Sequence, residues 1–317
     1  MKWKKLGRIF DPASVRLPFG CTEFAQSPQA LVCDTHVRIY FSTRVRESDG
    51  NYLSHIAYAD MTPDCSRLLD VSSHAVIALG RAGCFDEHGI FPMNVLRVGG
   101  QVYGYTSGVS RRVSVPVDTA IGLAISDDDG RTFTRISEGP ILAPSLHEPC
   151  LVADPFVMRV GDDFHMWYIF GTGWISSGGE VAPERIYRIG HASSKDGVDW
   201  LRNDGRSIIG DVLGTEECQA LPTVIEIGGR YHMYFCYRHA RDFRTDSTRA
   251  YRIGHAWSDD LQNWFRDDRA MNLSASSEGW DSEMVCYPHV FRHDGRVWML
   301  YNGNAFGRAG FGLAVLE

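Results

Sequence analysis

No stretch of this sequence approaches the roughly eighteen consecutive apolar residues that a membrane-crossing helix needs. The chain opens with positive charge in "MKWKKLGRIFDPAS", but no apolar segment follows, so the pattern of a secretory signal is missing. Its eight cysteines are scattered over positions 21, 33, 65, 84, 150, 218, 236 and 286, with no C-x-x-C pair. Without a signal, such cysteines read as reduced, mostly buried thiols, and the expected compartment is the cytoplasm. No H-E-x-x-H motif and no tight His/Asp cluster occurs, so neither a metal nor another cofactor is expected. Basic residues are in deficit, with 32 Lys and Arg against 39 Asp and Glu and a formal charge of -7. Nucleic-acid binders carry the opposite balance, so neither nucleic acid nor membrane is an expected partner. Helical spacing of apolar residues is absent too.

What is present is repetition. The segment "RIYRIGHASSKDGVDW" ends at Trp200, and "RAYRIGHAWSDDLQNW" ends at Trp264, 64 positions later. The core of this motif recurs five times, at Ile56–Ala59, Ile121–Ala124, Ile189–Ala192, Ile253–Ala256 and Phe311–Ala314. A second anchor, a proline opening an apolar run, recurs at Pro28, Pro92, Pro155, Pro222 and Pro288, at intervals of 64, 63, 67 and 66 residues. A turn follows each run, and then an aromatic or apolar stretch: "VRIY", "VYGY", "FHMW", "YHMY" and "VWML". Run, turn and alternating run make a hairpin, and the IGxA segment makes a third strand. Asp-rich turns then lead to a short fourth strand headed by Phe133, Trp200 or Trp264.

Four short strands per unit of roughly 63 residues, repeated about an axis, describe a β-propeller blade. The expected fold is all-β, a single five-bladed β-propeller with four-stranded blades. The blades fall at roughly 20–80, 81–144, 145–211, 212–274 and 275–317, the last completed by residues 1–12. The fifth unit stops after its third strand, and "KWKKLGRIF" near the N-terminus matches the missing fourth, which would close the ring and remove an open edge. The connections "GTGWISSGGEVAPE" and "RHARDFRTDST" are long for blade hairpins and read as functional.

In a propeller the first strand of each blade lines the central channel, so residues just ahead of it converge on the axis. Five positions before each proline stand Glu23, Glu87, Cys150, Glu217 and Glu283, with Asp86 and Asp281 nearby. A glutamate repeated in four blades is also what a device of the fold would look like. Asp154 breaks the symmetry, because Ser27, Phe91, Leu221 and Tyr287 occupy its place in the other blades. Crowded carboxylates separate in pKa, and glycosidic cleavage needs such a separated acid and base. Trp174, Tyr187, Tyr251 and Tyr287 are candidate flat surfaces for sugar rings. His88 and His289 lie near channel entrances and are candidate sugar ligands, whereas His191 and His255 on third strands read as packing.

These features resemble the five-bladed propeller glycoside hydrolases: the β-fructosidase and arabinanase/xylosidase superfamily, including glycoside hydrolase family 43, with the related mannoside phosphorylases. "VADPFV" around Asp154 resembles the Asp-Pro motif that opens an inner strand in that group, and "EECQAL" resembles its Glu-Cys motif. "FDEHGIFP" resembles a segment of the arabinanase and phosphorylase branches. The resemblance implies a glycoside hydrolase acting on a carbohydrate, with Glu87 or Asp86 as base, Asp154 as pKa modulator and Glu217 as general acid. Blade one departs from the pattern, with Ser27 where an Asp-Pro is usual. Glu23, Glu283, Asp281, His88 and His289 are expected to bind substrate. Two other readings stand beside hydrolysis. A glycoside phosphorylase or transglycosidase would need a cationic pocket, for which Arg188 and Arg252 or Arg111 and Arg112 are candidates. A sugar-binding propeller without catalysis would need none of these acids to act.

Overall fold

Every proline-led apolar run is the innermost strand of a four-stranded antiparallel sheet, and five such sheets surround one axis. This computed structural model describes residues 1–176 and 182–317. Blade one holds β2 (Gln26–Val32), β3 (Val37–Arg46), β4 (Tyr52–Met61) and β5 (Leu68–Val71); blade two holds β6 (Ile90–Val98), β7 (Gln101–Arg111), β8 (Val117–Ser126) and β9 (Thr134–Arg135). Blade three holds β10 (Val152–Val160), β11 (Asp163–Ile175), β12 (Glu184–Ser194) and β13 (Leu201–Arg202). Blade four holds β14 (Glu217–Ile227), β15 (Arg230–His239), β16 (Arg252–Ser258) and β17 (Phe265–Arg266). Blade five holds β18 (Cys286–His293), β19 (Arg296–Asn302) and β20 (Phe311–Leu316), and its outer strand is β1 (Trp3–Phe10) from the other end of the chain. The five-bladed reading, with a ring closed by the N-terminal strand, matches this architecture.

The Asp-rich turns expected before the fourth strands are built from side chains. Asp128 accepts the amides of Arg131 and Thr132, Asp196 those of Val198 and Asp199, and Asp260 those of Gln262 and Asn263. Short polar side chains that bond their own backbone two to four residues on favour turns in this way. Each blade interface is one apolar cluster. Tyr40 and Ile56 meet Ile90 and Val95 between blades one and two; Tyr105 and Ile121 meet Val152 and Met166 between two and three. Trp167 and Ile189 pack with Met233 and Phe235 between three and four. The alternating apolar runs therefore bury one face against each neighbouring sheet.

The closing strand is anchored by side chains as well as by its pairing with β20. Trp3 is buried, stands edge-on to Tyr234 of blade four at 5.3 Å, and shares a cluster with Met299 and Ala314. Its backbone exchanges two hydrogen bonds with the Asn272 side chain, at 2.7 and 2.9 Å. Removing that indole in Trp3→Ala is expected to cost about 3–5 kcal/mol of stability, read as a lowered midpoint in denaturant unfolding with native secondary structure retained before the transition.

Candidate active site

In all five blades the pairing between first and second strands slips at the proline. The slips lie between Gln26 and Gln29, Ile90 and Met93, Ala153 and Phe156, Ala220 and Thr223, and Cys286 and His289. In four blades the residue before the proline is left-handed, with φ of 52° at Ser27, 53° at Asp154, 47° at Leu221 and 55° at Tyr287; in blade two the Phe91–Pro92 bond is cis. A residue before proline is normally extended, and left-handed backbone costs a non-glycine residue about 1 kcal/mol or more. Neighbouring blades hold the strained amides in place: Ser107 Oγ accepts from Asp154 N–H at 2.7 Å, and Asn302 Oδ1 from Ser27 N–H at 2.8 Å.

At this end of the axis opens a cavity of ≈ 330 Å³. Three of the residues before the prolines, Phe91, Asp154 and Tyr287, line it, together with Tyr187 and Tyr251 from the paired YRIG motifs. Four arginines, Arg44, Arg185, Arg238 and Arg244, face the same space, as does His88. Among the described residues Asp154 is the one carboxyl in the lining. It is 6% exposed, and its Oδ2 accepts the Leu221 amide at 3.2 Å. Burial pushes its pKa up to about 7, against the opposing pull of the Leu221 N–H and the Arg185 charge. A carboxyl so placed still carries a proton near neutral pH and has one to donate.

The arginines are poor in counter-charges. Among the described residues Arg44 and Arg185 make no ion pair, and Arg44 lies over the rings of Phe24, Tyr52 and Phe91 at 4.9–5.9 Å. Burial pushes the Arg44 guanidinium below its ordinary value, and the like charges of Arg185 and Arg244 push the same way. It remains a cation at neutral pH. Arg238 is 2% exposed and donates to the carbonyls of His239 and Ala240 and to the Tyr187 hydroxyl at 2.9 Å, while its Nε has no acceptor. Arg244 is paired with Glu184 at the rim. Converging cations with spare donors have the chemistry to hold an anion.

The other acids from the sequence lie outside the cavity. Glu217 is fully buried; its Oε2 accepts the amides of Val212 and Leu213 at 2.8 Å each, and its Oε1 takes Arg266 at 2.6 Å and Gln219 at 2.9 Å. Burial alone would raise its pKa, but the bonds from Gln219, Val212 and Arg266 hold it below the usual carboxylate range. Asp86 pairs with Arg135 at 2.5–2.7 Å, and Asp281 with Lys5 at 2.6 Å. Glu148, at the equivalent place in blade three, takes Arg202 at 2.8 Å and the Tyr168 hydroxyl at 2.7 Å. In each case an acid on the lead-in to the inner strand is tied to a base on the outermost strand of the same blade. All four bases sit opposite the alanine of the IGxA motif: Arg135 across from Ala124, Arg202 from Ala192, Arg266 from Ala256 and Lys5 from Ala314. In blade one Val71 stands across from Ala59 and shares an apolar cluster with Cys21.

Several remaining candidates also serve the frame. Arg188 and Arg252 reach the carbonyls of Glu217 and Glu283 on the next blade, joining consecutive blades. Glu283 is exposed, and its amide donates to Asn304. Glu87 caps the Gly83 amide at 2.8 Å and lines a neighbouring groove, and Arg111 and Arg112 pair with Glu47 and Asp118. His289 is buried between Phe156 and Phe291, and burial lowers its pKa to about 3. Glu23 pairs with Arg308 on a separate rim pocket. Trp174 packs on the core between blades three and four; of the long connection that contains it, residues 177–181 lie outside the described residues. His88 does line the cavity, with Nδ1 accepting the Arg111 amide at 3.3 Å, which leaves Nε2–H as donor in the neutral ring. The arginines Arg44, Arg185, Arg238 and Arg244 went unnoticed in sequence. A signal existed for two of them: Arg44 and Arg238 both stand sixteen residues after their blade's proline, where Gly108, Gly171 and Asn304 occur in the others.

No family model matches the chain. The uncharacterized protein Rv1502 of Mycobacterium tuberculosis (strain ATCC 25618 / H37Rv) is 35% identical over 326 aligned positions, covering 100% of both chains. This chain belongs to the Rv1502 family. A beta-1,2-mannobiose phosphorylase of Thermoanaerobacter sp. (strain X514) is 31% identical over 143 residues, 42% of this chain and 44% of that one. Among solved structures, the beta-1,2-mannobiose phosphorylase from Listeria innocua in complex with beta-1,2-mannobiose superimposes with a TM-score of 0.71 at 14% identity, covering 100% of this chain and 97% of that one. A thermostable family-43 glycoside hydrolase gives 0.65 at 15% identity, covering 92% and 88%. The propeller is thus the fold of the glycoside hydrolases and mannoside phosphorylases that the sequence resembles.

The two kinds of acid differ in what they do for stability. Glu217→Leu strands Arg266 in the interior and is expected to destabilise the protein by about 3 kcal/mol. Asp154→Asn should act in the opposite sense. The folded state holds the Asp154 proton up to about pH 7 while the unfolded chain releases it near its ordinary value, so wild-type stability falls as pH rises between them. Asp154→Asn is therefore expected to exceed wild type by up to about 3–4 kcal/mol at pH 8 and to match it below pH 4, measured as paired denaturant melts across pH.

Proposed function

We propose that this protein is a glycan-active enzyme that cleaves a glycosidic bond by phosphorolysis. The carrying observation is the charge of the cavity: one protonatable carboxyl, Asp154, facing arginines of which Arg44 and Arg185 lack carboxylate partners. Hydrolysis by the paired-carboxylate route needs a second carboxylate across the bond to activate water. Phosphate needs no such base, because it arrives already anionic, and it needs the cations that are here.

In this reading inorganic phosphate sits among Arg44, Arg185 and Arg244. One of its oxygens attacks the anomeric carbon as the bond to the leaving oxygen breaks, and the Asp154 carboxyl gives its proton to that oxygen. The products are a sugar 1-phosphate and a free sugar, with the configuration at the anomeric carbon inverted by the single displacement. Tyr187, Tyr251 and Tyr287 offer hydroxyls and ring faces to the sugar, and His88 offers Nε2–H. The part-length relation to a beta-1,2-mannobiose phosphorylase supports a β-mannoside as the first substrate to try. The cytoplasm, where inorganic phosphate is plentiful, remains the proposed compartment, and eight free thiols suit its reducing conditions.

The test is turnover of β-mannobiose and related disaccharides with and without phosphate, followed by phosphorus NMR. Sugar 1-phosphate formed only with phosphate is the expected result; release of both sugars as free reducing ends without phosphate would make it a hydrolase. Asp154→Asn should lower kcat by about 10²–10⁴-fold, and Arg185→Met should raise the KM for phosphate by about tenfold or more. Because the acid works in its protonated form, kcat/KM for phosphorolysis should fall as pH rises above about 7.

A further inference from the structure

Arg44 and Tyr52 line the central cavity, and both also line an adjoining pocket of ≈ 510 Å³. This size is within the usual range of small-ligand sites, about 300–1,000 Å³. The annex is again cationic: Arg44, Arg46 and Arg308 line it against one carboxylate, Glu23, which is paired with Arg308 at 3.1 Å. Among the described residues the Arg46 side chain has neither ion pair nor hydrogen bond, and the residue is exposed.

Its other wall is aromatic and strained. The ring of Phe24 has Arg44 at 4.9 Å and Arg308 at 5.5 Å. Phe19 is 59% exposed and lies on the His55 ring at 4.3 Å, so one large apolar face is left open toward the annex. Both phenylalanines are left-handed, at φ 57° and 68°. Bulky residues hold that conformation only where the surroundings impose it, and such residues gather at ligand clamps. A flat ring beside unpaired guanidiniums suits a sugar that also bears an acid group, the ring lying on Phe19 and the acid meeting Arg46. We propose that the leaving sugar of the reaction is an acidic one, carrying a carboxylate or a phosphate ester, and that it binds in this annex. The identity of this sugar as leaving group rests on the phosphorolysis reading; its binding does not.

The experiment is calorimetric titration of the full chain, and of Arg185→Met, with mannose, mannuronate and mannose 6-phosphate, and with the matching glucose series, in phosphate-free buffer. Arg185→Met removes a cation of the central cavity that the annex does not contain, so an acid advantage equal in both proteins belongs to the annex. At least one acid sugar should bind about tenfold or more tightly than its neutral parent, the worth of one charge-assisted hydrogen bond. Arg46→Gln should abolish that advantage and leave the neutral sugars unchanged. Preference for mannose 6-phosphate or glucose 6-phosphate alone identifies a phosphate ester, and preference shared with the uronates identifies the acid group in general. Equal binding of acid and neutral sugars, no binding of any, or an acid advantage intact in Arg46→Gln overturns the proposal. Acid sugars that bind in this way without any phosphate-dependent turnover would leave the annex standing and remove phosphorolysis.

Discussion

The slip in strand pairing ahead of each inner-strand proline governs what this propeller presents at its axis. An extended strand alternates its side chains between two faces, so one extra residue changes which of them turn inward. Here the extra residue falls at the same place in five blades, and it selects Phe91, Asp154 and Tyr287 to line the cavity. The strain of left-handed backbone at Asp154 persists because Ser107 from the neighbouring blade holds its amide. Rigid backbone then fixes the carboxyl where solvent scarcely reaches it, and burial does the rest by keeping it protonated.

A second constraint organises the residues on the far side of that slip. The acid on the lead-in and the base on the outer strand span the sheet from edge to edge, so the least supported strand of the blade is fixed by charge. Outer strands of two residues, as in β9, β13 and β17, form few backbone bonds of their own. The alanine across from each base leaves room for the long side chain to run toward its acid. Blade one replaces the ion pair by an apolar cluster that holds Val71 and Cys21.

The fold was readable because its evidence repeats. Five prolines and five IGxA segments fix strand order and period together, and the match between "KWKKLGRIF" and the missing strand follows from the count. The site was less readable for the opposite reason: it is built from what the blades do not share. Asp154 could be found as a break in the repeat. Arg244 comes from a long connection, Arg185 stands at the start of β12 with a match only in Arg249 of blade four, and Arg44 and Arg238 recur in only two blades. Glu217 shows the other difficulty. Its sequence context resembles a catalytic motif, yet a carboxylate that must hold Arg266 and a carboxylate that must donate a proton are spelled with the same letter. What separates them is whether a cation stands within hydrogen-bond reach, and that depends on residues 49 positions away.

The pairing of β1 with β20 has a consequence for how the protein is made. Synthesis runs from the N-terminus, so Trp3–Phe10 leaves the ribosome long before the strand it needs, Phe311–Leu316, with four blades between them. Blades one to four can assemble as their sequences emerge, since each is contiguous in the chain. Throughout that time the first strand has no partner, with Trp3 and Phe10 exposed to whatever else is in the cell. A nascent chain of this design stays an open arc with a loose apolar strand until all four contiguous blades and the last three strands have been made. It becomes a ring in one event, when Phe311–Leu316 meets Trp3–Phe10.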